Sequence, residues 1–173
     1  MKEKESAVGA AVMEQVAGSS SRKAGKYLTF KLANEEYGLE ILKVREIIGL
    51  MDITKVPRTP DNIRGVINLR GKVIPVMDLR VKFLMEETED TNETCIIVVD
   101  VARGDRSVLM GTLVDSVSEV LDIAAEEIED APSFGTNVNT DFILGMGKTR
   151  DKVIILLDID EVMASEDLST FET

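Results

Sequence analysis

The chain contains 173 residues with 32 acidic and 20 basic side chains, so its formal net charge is −12 at pH 7. This negative field disfavours nucleic acid and anionic lipid headgroups as partners. Hydrophobic residues make up 44% of the chain, enough to bury the core of one domain or of two small ones. Histidine is absent, which excludes Ser-His and Cys-His nucleophilic catalysis within the chain and removes the most common metal ligand.

Residues 1–25 differ in composition from the rest of the chain. Lys and Glu alternate first, small residues follow, and three serines stand at 19–21. This composition predicts a flexible tail outside the fold, so that a chain starting at Lys26 would fold normally. The apolar run at 7–16 is too short to span a membrane, is interrupted by Glu14 and precedes no cleavage signature. We therefore expect a cytoplasmic protein with no direct membrane insertion.

Short runs rich in β-forming residues dominate from Lys26 onward. Residues 27–32 and the return from Tyr37 predict one hairpin, and residues 95–101 and 107–114 predict another. The segment 39–48 is ambiguous, and we interpret it as a short turn of helix followed by a strand.

Cys95 is the single cysteine, so no internal disulfide can form, which fits a reducing compartment. Its β-branched neighbours predict an inert core thiol.

The two halves of the chain resemble each other. An offset of 73 residues, which becomes 80 farther along, pairs residues of the same type: Gly38 with Gly111, Glu46 with Glu119, Gly65 with Gly145, and Arg70 with Arg150. Such matches in the same order indicate a duplication. About five strands per half cannot protect both edges of an open sheet, so we predict a mainly β protein of two small, partly closed barrels. The pattern at 158–169 predicts a closing helix.

Three motifs resemble ligand sites but lack required residues. Residues 145–149 resemble a phosphate-binding loop, yet Phe142 stands where its first glycine belongs. Residues 158–161 resemble the start of a calcium loop, yet Met163 occupies its glycine position. The acidic clusters at 86–90 and 126–130 lack His or Cys partners, which favours solvated loops over metal sites. We expect no metal and no cofactor. An acidic-site hydrolase remains a second hypothesis, which requires two carboxylates converging in a cleft.

Residues 62–80 form the most informative segment, with two strand-like runs around a tight turn at Arg70 and Gly71. Glycine can take the positive φ that such a turn needs, and Arg70 would then project from the hairpin tip, where it can bind carboxylates or carbonyls. The alternative is a solvated arginine that serves only the turn, and Arg150 at the matched position gives it some support. Pro75 cannot donate a ladder hydrogen bond, so its strand is expected at an edge or with a bulge.

Residues 37–41 (YGLEI), 44–48 (VREII), 64–71 (RGVINLRG), Pro75 and 78–80 (DLR) resemble the CheW-like domain family of bacterial chemotaxis, and the resemblance runs from about Tyr27 to Met163. The family includes stand-alone coupling proteins, the regulatory module of the kinase CheA and half of CheV. The short chain favours the stand-alone type. The resemblance implies two SH3-like five-stranded β-barrels packed together, with short helices including a C-terminal one. It also implies a non-enzymatic adaptor between chemoreceptors (methyl-accepting chemotaxis proteins) and the histidine kinase CheA. The alternative is a related adaptor for a different receptor set and another histidine kinase outside chemotaxis.

The resemblance also implies boundaries and contacts. The CheW-like domain would cover 26–165, with barrels at about 26–85 and 93–163, terminal strands open to exchange, and a tail at 166–173. Cytoplasmic helical tips of receptors would dock between the barrels, recruiting the protein to membrane-associated arrays, on a surface that includes Val44, Glu46, Gly65, Arg70, Val117 and Val120. A helix in a groove needs aliphatic anchors and rim charges, which fits this set, although Val117 and Val120 are equally compatible with the core. Phe134 would contact the CheA regulatory domain or, alternatively, plug a barrel end.

Overall fold

The computed structural model describes residues 23–86, 89–132 and 140–164. Within these ranges eleven strands and a few short helical segments form two sheets, so the predicted mainly β class is confirmed. In chain order the strands are β1 (Gly25–Leu32), β2 (Glu35–Glu40), β3 (Val44–Gly49), β4 (Ile63–Leu69), β5 (Lys72–Asp78), β6 (Cys95–Arg103), β7 (Arg106–Val114), β8 (Ser116–Ile123), β9 (Ile128–Glu129), β10 (Ile143–Thr149) and β11 (Lys152–Leu157). The helices are α1 (Leu79–Lys82) and α2 (Ile159–Val162), and single 3₁₀ turns cover Ile41–Lys43 and Ala125–Glu127. No helix in these ranges is long and apolar enough to cross a membrane.

The two sheets exchange their hairpins. One sheet has the order β3-β6-β7-β5-β4, and the other has the order β8-β1-β2-β11-β10-β9. The β1–β2 hairpin therefore lies with the strands of the second half, while β6–β7 lies with those of the first. A division of the chain at 26–85 and 93–163 would cut both sheets.

Each exchanged hairpin joins the opposite sheet through a parallel strand pair: β7 pairs with β5, and β2 pairs with β11. Gly111 lies opposite Val76 in the first pair, and Gly38 lies opposite Leu156 in the second. A Cβ atom on Gly111 would lie 2.8 Å from the Ile96 side chain, and one on Gly38 would lie 3.0 Å from Leu156. The matched glycines thus make room for core side chains at equivalent positions of the two halves.

The duplication seen in the sequence is also present in the structure. Strand β10 and helix α2 repeat the bounds of β4 and α1 at an offset of 80 residues, and β11 repeats those of β5 but ends one residue earlier. Both antiparallel pairs shift register before the matched glycines, Gly65 and Gly145. An N-cap aspartate, Asp78 or Asp158, precedes each helix, and its carboxylate accepts backbone N–H bonds of the first turn.

Several boundaries differ from the predictions. Helix α2 ends at Val162, and the rest of the helix predicted to 169 lies outside the described residues after 164. Strand β5 is an inner strand rather than an edge, and the register shift opposite it lies in β4. Pro75 is tolerated because pairing with β7 begins only at the next residue. At the N-terminus, the carbonyl of Lys23 accepts a hydrogen bond from the buried Tyr27 hydroxyl, so a chain starting at Lys26 would lose this acceptor.

The largest buried cluster lies between the sheets and draws side chains from both. It includes Leu28, Phe30 and Leu32 of β1 and Ile97, Val99 and Val101 of β6. Smaller clusters fill each barrel, around Ile96 and Val98 in one and around Tyr27 and Ile154 in the other. Alternate residues of β6 thus pack on opposite faces, as period-two alternation requires. Because the largest cluster is shared, the two barrels form one packed unit.

Candidate functional site: a crevice between two edge strands

The edge strands β3 and β8, which end their respective sheets, carry apolar side chains on the faces directed toward the shared core. Val44 pairs with Val99, and Val117 pairs with Phe30; both valines pack against the inter-sheet cluster. Side chains of paired residues lie on the same face of an antiparallel sheet. We call the apolar surface formed by Val44, Ile47, Val117 and Val120 the crevice.

Two of the crevice residues are half exposed. Ile47 pairs with Ile97 and Val120 pairs with Leu28, so both point to the inter-sheet side. Yet Ile47 is 45% exposed and Val120 is 49% exposed. The apolar core therefore continues to the surface at these two edge strands.

Cys95 contacts both edge strands. It pairs with Gly49 at the end of β3, and a hydrogen bond from the Val117 backbone reaches its sulfur. Burial raises the pKa of the Cys95 thiol, and this hydrogen bond opposes the increase. The thiol is therefore poorly suited to act as a nucleophile, in agreement with the prediction of an inert cysteine.

Arg70 and Glu46 form a two-point ion pair. Arg70 Nη1 lies 3.3 Å from Glu46 Oε2, and Nη2 contacts Oε1. The hydrogen bonds and the charge of Glu46 raise the pKa of Arg70. The pair joins the tip of the β4–β5 hairpin to β3, at the seam where the barrel closes. The sequence predicted both residues at the site but not their contact.

The tip itself has an unusual backbone. Arg70 has a φ of 53° and Gly71 a φ of 87°, as a type I′ hairpin turn requires. The Asn68 carboxamide oxygen accepts from the Gly71 N–H at 2.8 Å. The sequence assigned a positive φ to the glycine alone, whereas the arginine shares it.

Gly65 is buried and supports the barrel rather than presenting a surface. Its φ is +145°, and a Cβ atom there would lie 2.2 Å from the Thr54 carbonyl oxygen. Thr54 and Val66 exchange two backbone hydrogen bonds of 2.8 and 2.9 Å, which close the barrel beside β3. Any effect of Gly65 on a bound partner is therefore indirect, through the position of this closing segment.

Ile47 is a crevice residue that the sequence did not single out. Strict alternation from Val44 would direct Glu46 and Ile48 toward the core, and Ile47 away from it. A register shift between Val44 and Glu46 instead places Val44 and Ile47 on the same face. Phe134, the predicted kinase contact, lies outside the described residues.

One cluster of carboxylates away from the crevice is bound to arginine. Asp78, Asp90 and Asp115 all bond the buried Arg80, at distances of 3.0 to 3.3 Å. Burial would raise the pKa of Asp90, but hydrogen bonds from Arg64 and Arg80 outweigh it and hold that pKa low. A hydrolase needs one carboxyl held protonated beside an ionised one, whereas the arginines of this cluster favour the ionised form of its carboxylates.

Two interlocked small barrels with an apolar crevice and a charged rim define a protein-binding scaffold.

Comparison with known proteins identifies the family. A model of the CheW-like domain matches residues 26–167. The Chemotaxis protein CheW of Klebsiella aerogenes is 40% identical over 161 residues, which cover 93% of each chain. That of Bacillus subtilis is 34% identical over 142 residues, 82% of this chain and 88% of the relative. The crystal structure of scaffolding protein TtCheW from Thermoanaerobacter tengcongensis matches with a TM-score of 0.72 and 38% identity, covering 83% of this chain and 95% of that one. The chain belongs to the CheW-like domain family. It is a non-enzymatic chemotaxis scaffold of the CheW type, which couples receptors to the kinase CheA.

Proposed function

We propose that the crevice binds the cytoplasmic helical tip of a chemoreceptor, and that the scaffold is recruited in this way from the cytoplasm to membrane-associated receptor arrays. The observation that carries this proposal is the half-exposed pair Ile47 and Val120, 45% and 49% exposed on two edge strands whose faces lead into the shared core. A helix laid in a groove buries aliphatic anchors at such positions. Each anchor that becomes fully buried contributes roughly 25 cal/mol per Å² of apolar surface removed from water.

The Arg70–Glu46 pair supports the proposal from the polar side. The Arg70 side chain is 69% exposed, so its guanidinium remains accessible to a docked partner while it bonds Glu46. Charges at a rim direct the approach and orientation of a partner. Val44 and Val117, which are partly buried, would form the floor below the helix.

The kinase side of the scaffold remains a prediction. Phe134 is proposed from sequence resemblance as a contact with the CheA regulatory domain. Its replacement by Ala is expected to reduce CheA binding and leave receptor binding unchanged.

Substitution of Ile47 by Asp tests the receptor site. A charged side chain in the crevice would have to be desolvated on docking, so we expect receptor binding to fall at least roughly tenfold. The measurement is co-sedimentation of the purified protein with receptor-containing membranes, with thermal melting as the test of folding.

Val73→Asp is the matched control. Val73 is also an exposed apolar strand residue, but it lies on β5, which β6 and β7 separate from β3 in the sheet. Unchanged binding of Ile47→Asp, or an equal loss for Val73→Asp, would contradict the assignment of the crevice.

A further inference from the structure

Both strands that line the crevice begin at a connection between the sheets, and a charged residue stands at each connection. Lys43 ends the turn between β2 and β3, and Asp115 is the residue between β7 and β8. Strands β2 and β8 belong to the six-stranded sheet, whereas β3 and β7 belong to the five-stranded sheet. The direction of each crevice strand is therefore set where the chain passes from one sheet to the other.

Each of these residues pairs with a short helix that follows one of the two sheets. Lys43 Nζ lies 2.7 Å from Asp160 Oδ2 in α2, which follows β11 of the six-stranded sheet. Arg80 Nη1 in α1, which follows β5 of the five-stranded sheet, lies 3.1 Å from Asp115 Oδ1. Each helix thus bonds the start of the crevice strand that belongs to the other sheet. Arg80 and Asp160 are matched positions of the duplication, so the helix ends of the two links are equivalent with reversed charge.

Both aspartates also bind a hairpin backbone. Asp160 Oδ1 accepts from the Ala102 N–H at 2.8 Å, and Asp115 Oδ2 accepts from the Ala33 N–H at 2.9 Å. Ala102 lies in β6 of the five-stranded sheet, whereas Asp160 is carried by the helix after the six-stranded one. A single carboxylate thus holds the start of β3 and the β6–β7 hairpin to the opposite sheet.

The Lys43–Asp160 ion pair depends on the charge of the Lys43 ammonium because of the groups around it. The Lys43 side chain is 27% exposed and that of Asp160 is 33% exposed, so water screens the pair less than it screens an open surface pair. Burial, together with Asp158 and Asp160, raises the pKa of the nearby Glu40, and Lys43 opposes this shift. Removal of the ammonium would remove the cation that opposes this shift.

We infer that Asp160 and Asp115 are positioning residues: by tying the first residues of β3 and β8 to the opposite sheet, they set the opening of the crevice. The consequence for receptor binding rests on the proposed function, whereas the consequence for the arrangement of the two sheets does not. The crevice residues therefore depend on ion pairs that they do not touch.

The test compares Lys43→Met with Lys43→Arg, which keeps the charge. Backbone amide residual dipolar couplings, measured in a weakly aligning medium, report the relative orientation of the sheets. For Lys43→Met we expect each sheet to fit this structure separately but not with one shared alignment tensor. Affinity for a soluble receptor helical-hairpin fragment is expected to fall about tenfold, within the usual range of coupling between sites. Lys43→Arg is expected to restore both.

Lys26→Met is the matched control, because Lys26 forms an exposed 3.0 Å pair with Asp122 between strands of the same sheet. It is expected to change neither measurement. If Lys43→Met does not fold, Asp160→Asn takes its place, because its carbonyl oxygen can still accept from Ala102 while the charge of the pair is lost.

If the couplings of Lys43→Met fit a single alignment tensor as well as those of the wild type do, the inference is overturned. This holds at any measured affinity for the receptor fragment. Reoriented sheets with unchanged affinity would overturn the claim that the opening governs binding. The coupling measurement needs no receptor. A failure of the crevice proposal, shown by Ile47→Asp, is therefore distinguishable from a failure of this one.

Discussion

The backbone conformation of Gly65 keeps the barrel of the five-stranded sheet closed beside the crevice. The φ of +145° is rare for residues with a side chain, and the Thr54 carbonyl oxygen lies only 2.2 Å from the place that a Cβ atom would take. The strand carrying Gly65 can approach the segment at Thr54 only because no side chain intervenes. The glycine therefore affects the crevice indirectly, because it allows the close packing of the strands beside it.

Gly65→Ala is expected to lower the free energy of unfolding by about 2–4 kcal/mol, because it combines backbone strain with a clash against a hydrogen-bonded carbonyl. Urea unfolding followed by circular dichroism measures this change. Gly49→Ala is the control: no heavy atom lies within 4 Å of the place that its new Cβ would take, and a loss below about 0.5 kcal/mol is expected. Similar losses at both glycines would show that close packing at Thr54 is not the cause.

The β4–β5 hairpin shows how one element can serve both folding and binding. Its turn places Arg70 at a φ of 53°, and Arg150 has the same φ at the matched tip of the β10–β11 hairpin. Both arginines therefore satisfy the same local geometry. They differ in their partners, since Arg70 bonds Glu46 and no ion pair involves Arg150 among the residues that the structure describes.

Arg70→Ala is expected to shift the melting temperature by less than about 2 °C, because the turn keeps its glycine and its Asn68 hydrogen bond. Receptor co-sedimentation is expected to fall roughly tenfold through the loss of the rim charge. Arg150→Ala, which removes an arginine from the equivalent turn, should change neither. A drop in melting temperature that accounts for the binding loss would instead assign Arg70 to the turn.

At the scale of the molecule, the exchanged hairpins make each half dependent on the other. Strand β2 pairs with β11, and β7 pairs with β5, so neither sheet is complete within one half of the chain. The inter-sheet cluster takes side chains from both halves. Folding of the two barrels is therefore expected to be cooperative.

Separate fragments covering 26–85 and 93–163 are expected to show no cooperative thermal transition by circular dichroism. Each would lack the opposite hairpin and half of the shared core, and chains of this size are marginally stable even when complete. An equimolar mixture is expected to regain a transition and to elute as a 1:1 complex. Because the halves are related by duplication, the β1–β2 hairpin could instead dock on β5 of its own fragment; a folded single barrel from 26–85 alone would contradict the expectation.

The sequence by itself determined the features that depend on neighbouring residues. The β4–β5 turn at Arg70 and Gly71, the 3₁₀ turn before β3 and the matched glycines of the duplication all follow from short-range backbone preferences and from spacing. The number of strands per half predicted two small barrels, and the resemblance to CheW-like domains then supplied the set of residues around the crevice. Within that set, Val44 and Val117 line the inter-sheet cluster in the structure.

Only the tertiary structure decided which distant segments meet. The hairpin exchange, the Arg70–Glu46 contact and the links from Lys43 to Asp160 and from Arg80 to Asp115 join residues that no local pattern relates. The register shift in β3 placed Ile47 in the crevice, because one extra residue reverses the face on which every later side chain lies. The packing of the shared core determines which strands pair. Because this core takes side chains from both halves of the chain, the pairing cannot be decided from any one segment.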